Sequence, residues 1–320
     1  MPGMASARFS APMAFSRKQQ RMLRLQVPAS TSNVGPGFDC FSIAVDHFVD
    51  LRWEPSERLE IERKGSLVES TLTPGRDPVL RGMRRASVLS GGKLPPGKIT
   101  VESGFSPGRG LGASGAGLVG GLLLGNRLTG SKLKPEVLLA EAVALEGHPE
   151  NATASMLGGA HWSLPRAKGE WIHHPVQLHK DLRFLVVIPP YPLSTGRARE
   201  VLPTSVSMQR AVEQARRTPI LLEGLRKLDP ELIRVGIQDE IHVAPRLKLL
   251  TGAKSVLDFA DQAGAIAATL SGAGSALLIL TRTGELRALE TKLQRRVKRL
   301  WGESGSVLNA RVTSKAAAFV

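Results

Sequence analysis

The chain has 320 residues, 42% of them hydrophobic and 22% charged, which is ordinary for a globular protein and long enough for two lobes rather than one core. Its one cysteine, Cys40, excludes an internal disulfide, and its longest uncharged apolar run, Gly110 to Asn126, is glycine-rich and shorter than the roughly 20 residues a spanning helix needs. The net charge of +15 is spread along the chain and aromatics make up only 4%, so a solvated basic surface is preferred over a nucleic-acid interface.

In chain order, Met1–Met22 contains no Asp or Glu and shows no clear amphipathic helix. It is read as a disordered tail or a start assigned upstream of Met22, and kept out of the fold. Leu23–Val27 alternates apolar and polar residues as a half-buried strand does. Ile43–Leu51 and Leu59–Glu62 read as short strands, Val79–Leu89 as a helix and Lys98–Ser103 as another strand. A glycine-rich loop, Gly108–Gly115, leads into an apolar helix ending near Leu128, with Gly130 as its stop. Pro135 starts a helix to Glu146 that is apolar nearly all round and so is expected to be buried. Pro, Gly and charged residues cluster around 165–182, and the lobes are drawn there as 23–170 and 171–320. Arg183–Ile188 is a strand closed by Pro189-Pro190. Helical segments follow within Ser205–Leu228, Pro230–Gln238 and Lys254–Gln262. Ala267–Leu270 and Ala276–Leu280 form a strand pair about a Gly turn. Glu285–Leu300 is an amphipathic basic helix and Val307–Val312 a closing strand.

Four segments carry chemistry. Val27-Pro-Ala-Ser-Thr-Ser-Asn-Val-Gly-Pro-Gly-Phe-Asp39 places hydroxyls, Asn33 and Asp39 in a non-repetitive loop after a strand, a common setting for ligand contacts; its plainer alternative is a Gly-Pro turn. In Ser106-Pro-Gly-Arg-Gly-Leu-Gly-Ala-Ser-Gly115 the glycines let backbone N–H groups approach a phosphate, and the following helix adds its positive end. No Lys-Ser/Thr pair follows the last glycine, so this is not a Walker-type P-loop; the alternative is a helix cap beside tight packing. Leu145-Glu-Gly-His-Pro-Glu-Asn151 puts Glu146 at a helix C-terminus, where a carboxylate calls for a compensating cation such as Mg²⁺. His148 and Asn151 can bond a polar ligand there, although a lone His is more often structural. Leu270-Ser-Gly-Ala-Gly-Ser275 is either a hairpin turn or a third loop pressed against the others.

Taken together, these segments resemble the GHMP small-molecule kinases, and among them the homoserine kinases. Val27–Asp39 resembles that family's P-A-T-S-A-N-L-G-P-G-F-D, Gly110–Ala116 its G-L-G-S-S-A-A and Glu146–Asn151 its E-G-H-P-D-N. Ser194–Pro203 resembles S-T-x-x-A-R-x-x-L-P, Asp239–Arg246 resembles D-R-L-H-x-P-x-R, and Ser271–Gly274 matches the third GHMP motif. The resemblance spans residues 23–320. It implies an α+β fold of two lobes, an N-terminal one like ribosomal protein S5 domain 2 and a ferredoxin-like C-terminal one, with ATP over the glycine-rich loop and the substrate between the lobes.

The same resemblance implies roles for matching residues. Asn33 and Asp39 would hold a substrate's amino end, and Arg199 and Arg246 its carboxylate. His148, Asn151 and Glu146 would stand at the reacting hydroxyl. Pro107, Gly108, Arg109, Gly110, Leu111, Gly112, Ala113, Ser114 and Gly115 would bind ATP. Ser114 and Glu146 would contact Mg²⁺, with Glu141 as the other carboxylate near in sequence. Asn151 stands where mevalonate-type relatives place a basic Asp, which implies catalysis by positioning and electrostatics. Ala113, Gly115, Glu150, Pro245 and Ser275 depart from the family wording. Asp77 falls where an Asn often helps recognise adenine. The implied reaction is MgATP-dependent phosphorylation of L-homoserine by a cytoplasmic enzyme, a dimer by analogy, with small molecules as partners and neither membrane nor nucleic acid expected. The alternatives are another GHMP kinase, a non-catalytic sensor or a nucleic-acid binder.

Overall fold

The computed structural model describes residues 22–68 and 72–320. The leading segment, up to residue 21, lies outside them.

The first sheet begins with β1 (Leu23–Ser32) and β2 (Phe41–Pro55), which pair antiparallel around the loop that carries Asn33 and Asp39. β3 (Glu60–Gly65) and β4 (Gly97–Ser103) extend it beyond β2, and theirs is its parallel pairing. β5 (Ala160–Pro165) pairs with the start of β2, and β6 (Trp171–Pro175) pairs with β5. The chain end returns as β11 (Ala318–Phe319) beside β1.

Alternation explains the first half of β1: Leu25 and Val27 are buried while Gln26 between them is not. From Val27 to Ser32 every residue is buried, because this half of the strand is covered on both faces. The register shifts between Pro28 and Ala29. Proline has no N–H for the ladder, so a bulge is the natural place for it within a sheet. Its free carbonyl accepts a bond from Ser155 Oγ at 2.9 Å.

Four helices accompany this sheet: α1 (Pro78–Ser90), α2 (Ala113–Leu128), α3 (Pro135–Glu146) and α4 (Glu150–Leu157). Asp77 caps α1 by accepting from Leu80 N at 2.9 Å, and it also pairs with Arg63. This residue is 2% exposed, so the position associated with adenine recognition is occupied by a buried helix cap. α1 and α2 lie backbone to backbone. A side chain at Gly121 would overlap the carbonyl of Val79, and one at Gly82 would come within 2.5 Å of Leu118 O. The glycine content of α2 is therefore largely a packing requirement. α3 differs from expectation: Leu138, Leu139, Ala142 and Val143 are buried, but Val137, Ala140 and Ala144 face solvent. Its outer face is built largely of small or charged residues, so the uniformly apolar appearance came from alanines, which cost little when exposed.

The second sheet has the order β10 (Ser306–Ala310), β7 (Leu182–Ile188), β9 (Leu277–Arg282), β8 (Ala267–Leu270), all antiparallel. α5 (Thr195–Glu200), α6 (Met208–Lys227), α7 (Pro230–Gly236), α8 (Val243–Leu247), α9 (Ala253–Gln262) and α10 (Leu286–Trp301) complete this half. Leu289, Leu293 and Val297 recur at helical spacing on α10 and are buried, as its amphipathic pattern requires. The structure is thus α+β with two sheets, and the segments singled out in the sequence meet where the halves face each other. Among the described residues no helix is long and apolar enough to cross a membrane.

Candidate active site

A cleft between the two halves is lined by Gly108, Gly110, Gly112, Ala113 and Ser114 on one side, Glu146, His148, Glu150 and Asn151 beneath, and Asn33, Arg199 and Arg246 opposite. Leu193, Thr195 and Gly272–Gly274 close it.

The glycine loop is shaped by its neighbours. Gly110 has φ +67°, and its carbonyl accepts from Ser271 Oγ at 2.6 Å. Gly112, at φ +65°, is the N-cap of α2 and lies too close to Ser30 Oγ for any side chain. The third loop is bound to the first by Thr31 Oγ1 and Ser271 Oγ at 2.9 Å and by Gly272 N donating to Ser32 O at 2.8 Å. The Leu270–Ser275 segment is therefore the third wall of the site rather than a bare hairpin. The first intrahelical bond of α2 runs from Ala116 N to Gly112 O, so the N–H groups of Ala113, Ser114 and Gly115 have no partner within the helix. With the positive end of a 16-residue helix behind them, the N–H groups of Ala113 and Ser114, the two of these residues that line the cleft, form an anion cradle.

Glu146 ends α3 beneath this cradle. Its Oε2 is shut off from solvent and has no hydrogen-bond partner among the described residues, and a Cβ at Gly115 would come within 2.7 Å of it. Burial pushes the Glu146 carboxyl up to about 7, with Glu150 adding to the rise and His148 and Arg81 opposing it. An orphaned carboxylate oxygen beside Ser114 and a helix N-terminus is a donor set that suits a Mg²⁺ ion shared with phosphate oxygens. Glu141 instead holds Arg85 through two bonds of 2.6 and 3.1 Å and does not line the cleft.

His148 Nδ1 stands 3.1 Å from Glu150 Oε1. Burial works against the charged imidazole, but the contact with Glu150 and the charge of Glu146 raise its pKa overall. Asn151 Oδ1 accepts from Ser30 Oγ at 3.0 Å. That bond turns the amide oxygen toward Ser30 and takes one of its two lone pairs, leaving the NH₂ as a donor for a ligand.

Arg199 grips Asp39 fork to fork, at 2.9 and 2.7 Å. These hydrogen bonds raise the Arg199 pKa, although burial opposes them. Asn33 Oδ1 accepts the backbone N–H of Asp39 at 2.7 Å and so sets the end of the loop. Arg246 is 1% exposed and rests on carbonyls, donating from Nε to Ala198 O at 3.2 Å and from Nη1 to Gly272 O at 3.4 Å. Burial lowers its pKa to about 10, and Arg199 adds to the fall. Two guanidiniums beside one carboxylate carry charges complementary to those of a small zwitterion.

Other residues of the glycine loop lie elsewhere. Arg109 donates to Pro189 O at 2.6 Å and Pro190 O at 3.1 Å, fastening the loop to the end of β7. Leu111 is buried in the core and Gly115 lies behind Glu146 and Asn151; neither they, Pro107, Arg109 nor Asp39 line the cleft. Ser30, Glu150, Thr195 and Gly272–Gly274 were not assigned site roles from sequence. Thr195 and the glycines lay inside recognised segments, whereas Ser30 became visible only through its bond to Asn151.

This geometry accords with comparisons to known proteins. Residues 79–159 match the model of the GHMP kinases N terminal domain, and residues 221–299 that of GHMP kinases C terminal. The class defined by fold and cleft is therefore that of the GHMP kinases. A homoserine kinase of Desulfitobacterium hafniense is 32% identical over 81% of this chain and 87% of its own length. One of Moorella thermoacetica is 36% identical over the same shares, 81% and 87%. The crystal structure of homoserine kinase from Cytophaga hutchinsonii superposes with a TM-score of 0.82, covering 97% of this chain and 100% of that one at 22% identity. The chain belongs to the homoserine kinase family.

Proposed function

We propose that this protein transfers the γ-phosphate of ATP to the side-chain hydroxyl of L-homoserine, giving O-phospho-L-homoserine for threonine biosynthesis. The observation that carries the choice of substrate is the pair of guanidiniums, Arg199 and Arg246, in the cleft lining, with Asp39 held against Arg199. An α-amino acid offers one ammonium and one carboxylate. Asp39 would accept the first, and the two guanidiniums would clamp the second. In the free protein Asp39 and Arg199 satisfy each other, so substrate binding exchanges one ion pair for two.

The triphosphate would lie on the N–H groups that open α2. A Mg²⁺ ion held by Ser114 and Glu146 would neutralise charge on the transferred phosphoryl group. Asn151 cannot take up a proton, so its contribution is orientation of the hydroxyl for in-line attack. His148, paired with Glu150 when charged, supplies a positive edge to the same volume. The division into an N-terminal ATP-binding domain, 23–170, and a C-terminal domain, 171–320, belongs to the same reading, as do a homodimer and a cytoplasmic setting. Burial first, and then Asp39 and Glu150, push the single thiol, Cys40, up to about 11, which suits an unreactive side chain.

The test is ADP release by purified protein with MgATP and, separately, homoserine, threonine, serine and mevalonate. Homoserine is expected to give the highest kcat/KM. Mevalonate outperforming it would overturn the zwitterion reading, and no turnover with any of the four would overturn the kinase.

A further inference from the structure

Arg246 lines the cleft although it is only 1% exposed, and one partner of its charged head is a histidine. His242 lies one helical turn earlier and is 0% exposed. Its Nδ1 stands 3.2 Å from Arg246 Nη1, and its Nε2 stands 3.0 Å from the carbonyl of Gly35 in the β1–β2 loop. The roles in both bonds are fixed by the partners. A guanidinium only donates, so Nδ1 must present its lone pair. A carbonyl only accepts, so Nε2 must carry the proton. The imidazole is thereby neutral and of one tautomer, since a second proton on Nδ1 would point at Arg246. Burial, which lowers the His242 pKa, acts in the same direction.

The ring is held from all sides. Asp239 Oδ2 accepts the backbone N–H groups of Ile241, His242 and Val243 at 3.0, 2.6 and 2.7 Å, fixing the turn that carries it. Asp239 Oδ1 lies 3.5 Å from Nε2, on the protonated edge. Phe38 stacks on the ring at 5.1 Å, and the guanidiniums of Arg246 and Arg199 lie over the same phenyl ring at 5.1 and 5.6 Å. Gln214 adds a second fastening nearby, donating to Pro36 O at 3.2 Å and accepting from Glu240 N at 2.8 Å. Among the described residues, the hydrogen bonds of Arg246 run from Nε to Ala198 O and from Nη1 to His242 and Gly272, and none uses Nη2.

We propose that His242 is a positioning residue for substrate discrimination, coupling the loop that ends in Asp39 to the guanidinium of Arg246 so that ammonium and carboxylate recognition are set at one spacing. The proposal rests on the zwitterion reading of the cleft. His242 touches no reacting atom. It acts through Arg246 on one side and the Gly35 backbone on the other, and joins the two halves of the molecule at the substrate rather than at ATP.

The test uses full-length protein with homoserine and with 3-aminopropan-1-ol, which keeps the amine and hydroxyl but lacks the carboxylate. Wild-type preference for homoserine, lost in Arg246→Lys, establishes the reading on which the proposal depends; without it that reading fails, whatever His242 does. Given that preference, His242→Gln keeps an N–H for Gly35 but removes the acceptor for Arg246. It is expected to raise the homoserine KM about tenfold and shrink the homoserine/aminopropanol ratio of kcat/KM by a similar factor, with the ATP KM within about twofold of wild type. His242→Asn keeps an acceptor near Arg246 and should retain most of the ratio. A general packing defect would lower kcat/KM for both alcohols alike, and that result overturns the proposal. The tautomer can be read without any variant: two-bond ¹H–¹⁵N NMR on the wild type should show a protonated Nε2 and a bare Nδ1. The opposite tautomer, or a charged ring at neutral pH, overturns it equally.

Discussion

Glu146 illustrates how one side chain can be wrong for the apo fold and right for a site. Its carboxyl titrates near 7 because burial disfavours its charge, against an ordinary value of 4.5. The native state therefore holds that proton to higher pH than the unfolded chain does. Its contribution to stability is complete below about pH 4.5 and is lost as pH climbs toward 7. Glu146→Gln removes the charge and keeps the shape. At pH 8 the variant should be more stable than the metal-free wild type by on the order of 3 kcal/mol, and the two should converge below about pH 4.5. Urea unfolding across that range checks this; a gap independent of pH would show that Glu146 is not the titrating group. Arg199 makes the complementary case. Arg199→Ala should raise the homoserine KM about tenfold to hundredfold while leaving the ATP KM nearly unchanged, because its partners lie on the substrate side. Steady-state kinetics decide it, and equal losses for both substrates would remove Arg199 from that role. Most of these residue types were legible in the sequence, since charges and amides in Gly-rich loops stand out from a core pattern. Their pairings were not. That Arg199 meets Asp39, or that Ser30 fixes Asn151, depends on contacts 160 and 121 residues apart, which no local pattern encodes.

Elements were read well where periodicity and punctuation agreed. α10 and the β8–β9 pair lie within a residue or so of their expected bounds, because an amphipathic stripe and a Gly turn mark them. The short α4 and α8 were missed, since 8 and 5 residues are too few for a 3.6-residue period to show. α3 was placed correctly but judged too buried, as alanines read as apolar without needing cover. α2 carried a different message. Its glycines answer to packing: Gly121 sits against the backbone of Val79 and Gly125 against that of Met83. Only helices free of side chains along one stripe can approach so closely, and this contact sets the angle at which the N-terminus of α2 meets the cleft. Gly121→Ala gains helix propensity of about 1 kcal/mol but must push α1 away. The net effect expected is destabilisation by about 2 kcal/mol or more, with a higher ATP KM because the cradle shifts with α2. Thermal unfolding and ATP titration measure both. A neutral or stabilising outcome would mean that the helices slide apart at little cost.

At the scale of the whole molecule, the two sheets could be separate folding units joined at a cleft, or parts of one. The side chains of β7 and β9 decide between these. Phe184, Val186, Leu278 and Leu280 point into the same continuous core as Leu25 and Val27 of β1, together with Leu221 and Leu225 of α6. Leu185, Val187, Leu277 and Ile279 point the other way, onto Val256 and Ala260 of α9 and Leu289 and Leu293 of α10. The second sheet is thus buried on both faces, and one of those faces is also the roof of the first half. The C-terminal strand crosses back as well: Arg311 pairs with Asp46 of β2 at 2.7 Å, and β11 closes the edge of β1. Exposing either half alone would strip apolar surface from both, unlike the small polar contacts that let domains move or melt independently. Calorimetry should therefore show one endotherm. At about 0.7 kcal/mol per residue near 60 °C, the roughly 300 described residues give an enthalpy of roughly 200 kcal/mol, and the calorimetric and van't Hoff values should agree. Homoserine at 100 times its Kd should shift that single peak upward by the equivalent of about 2.7 kcal/mol, without splitting it. Two resolved transitions, with homoserine moving only one of them, would show that the shared core does not couple the halves and that the cleft is a hinge between independent units.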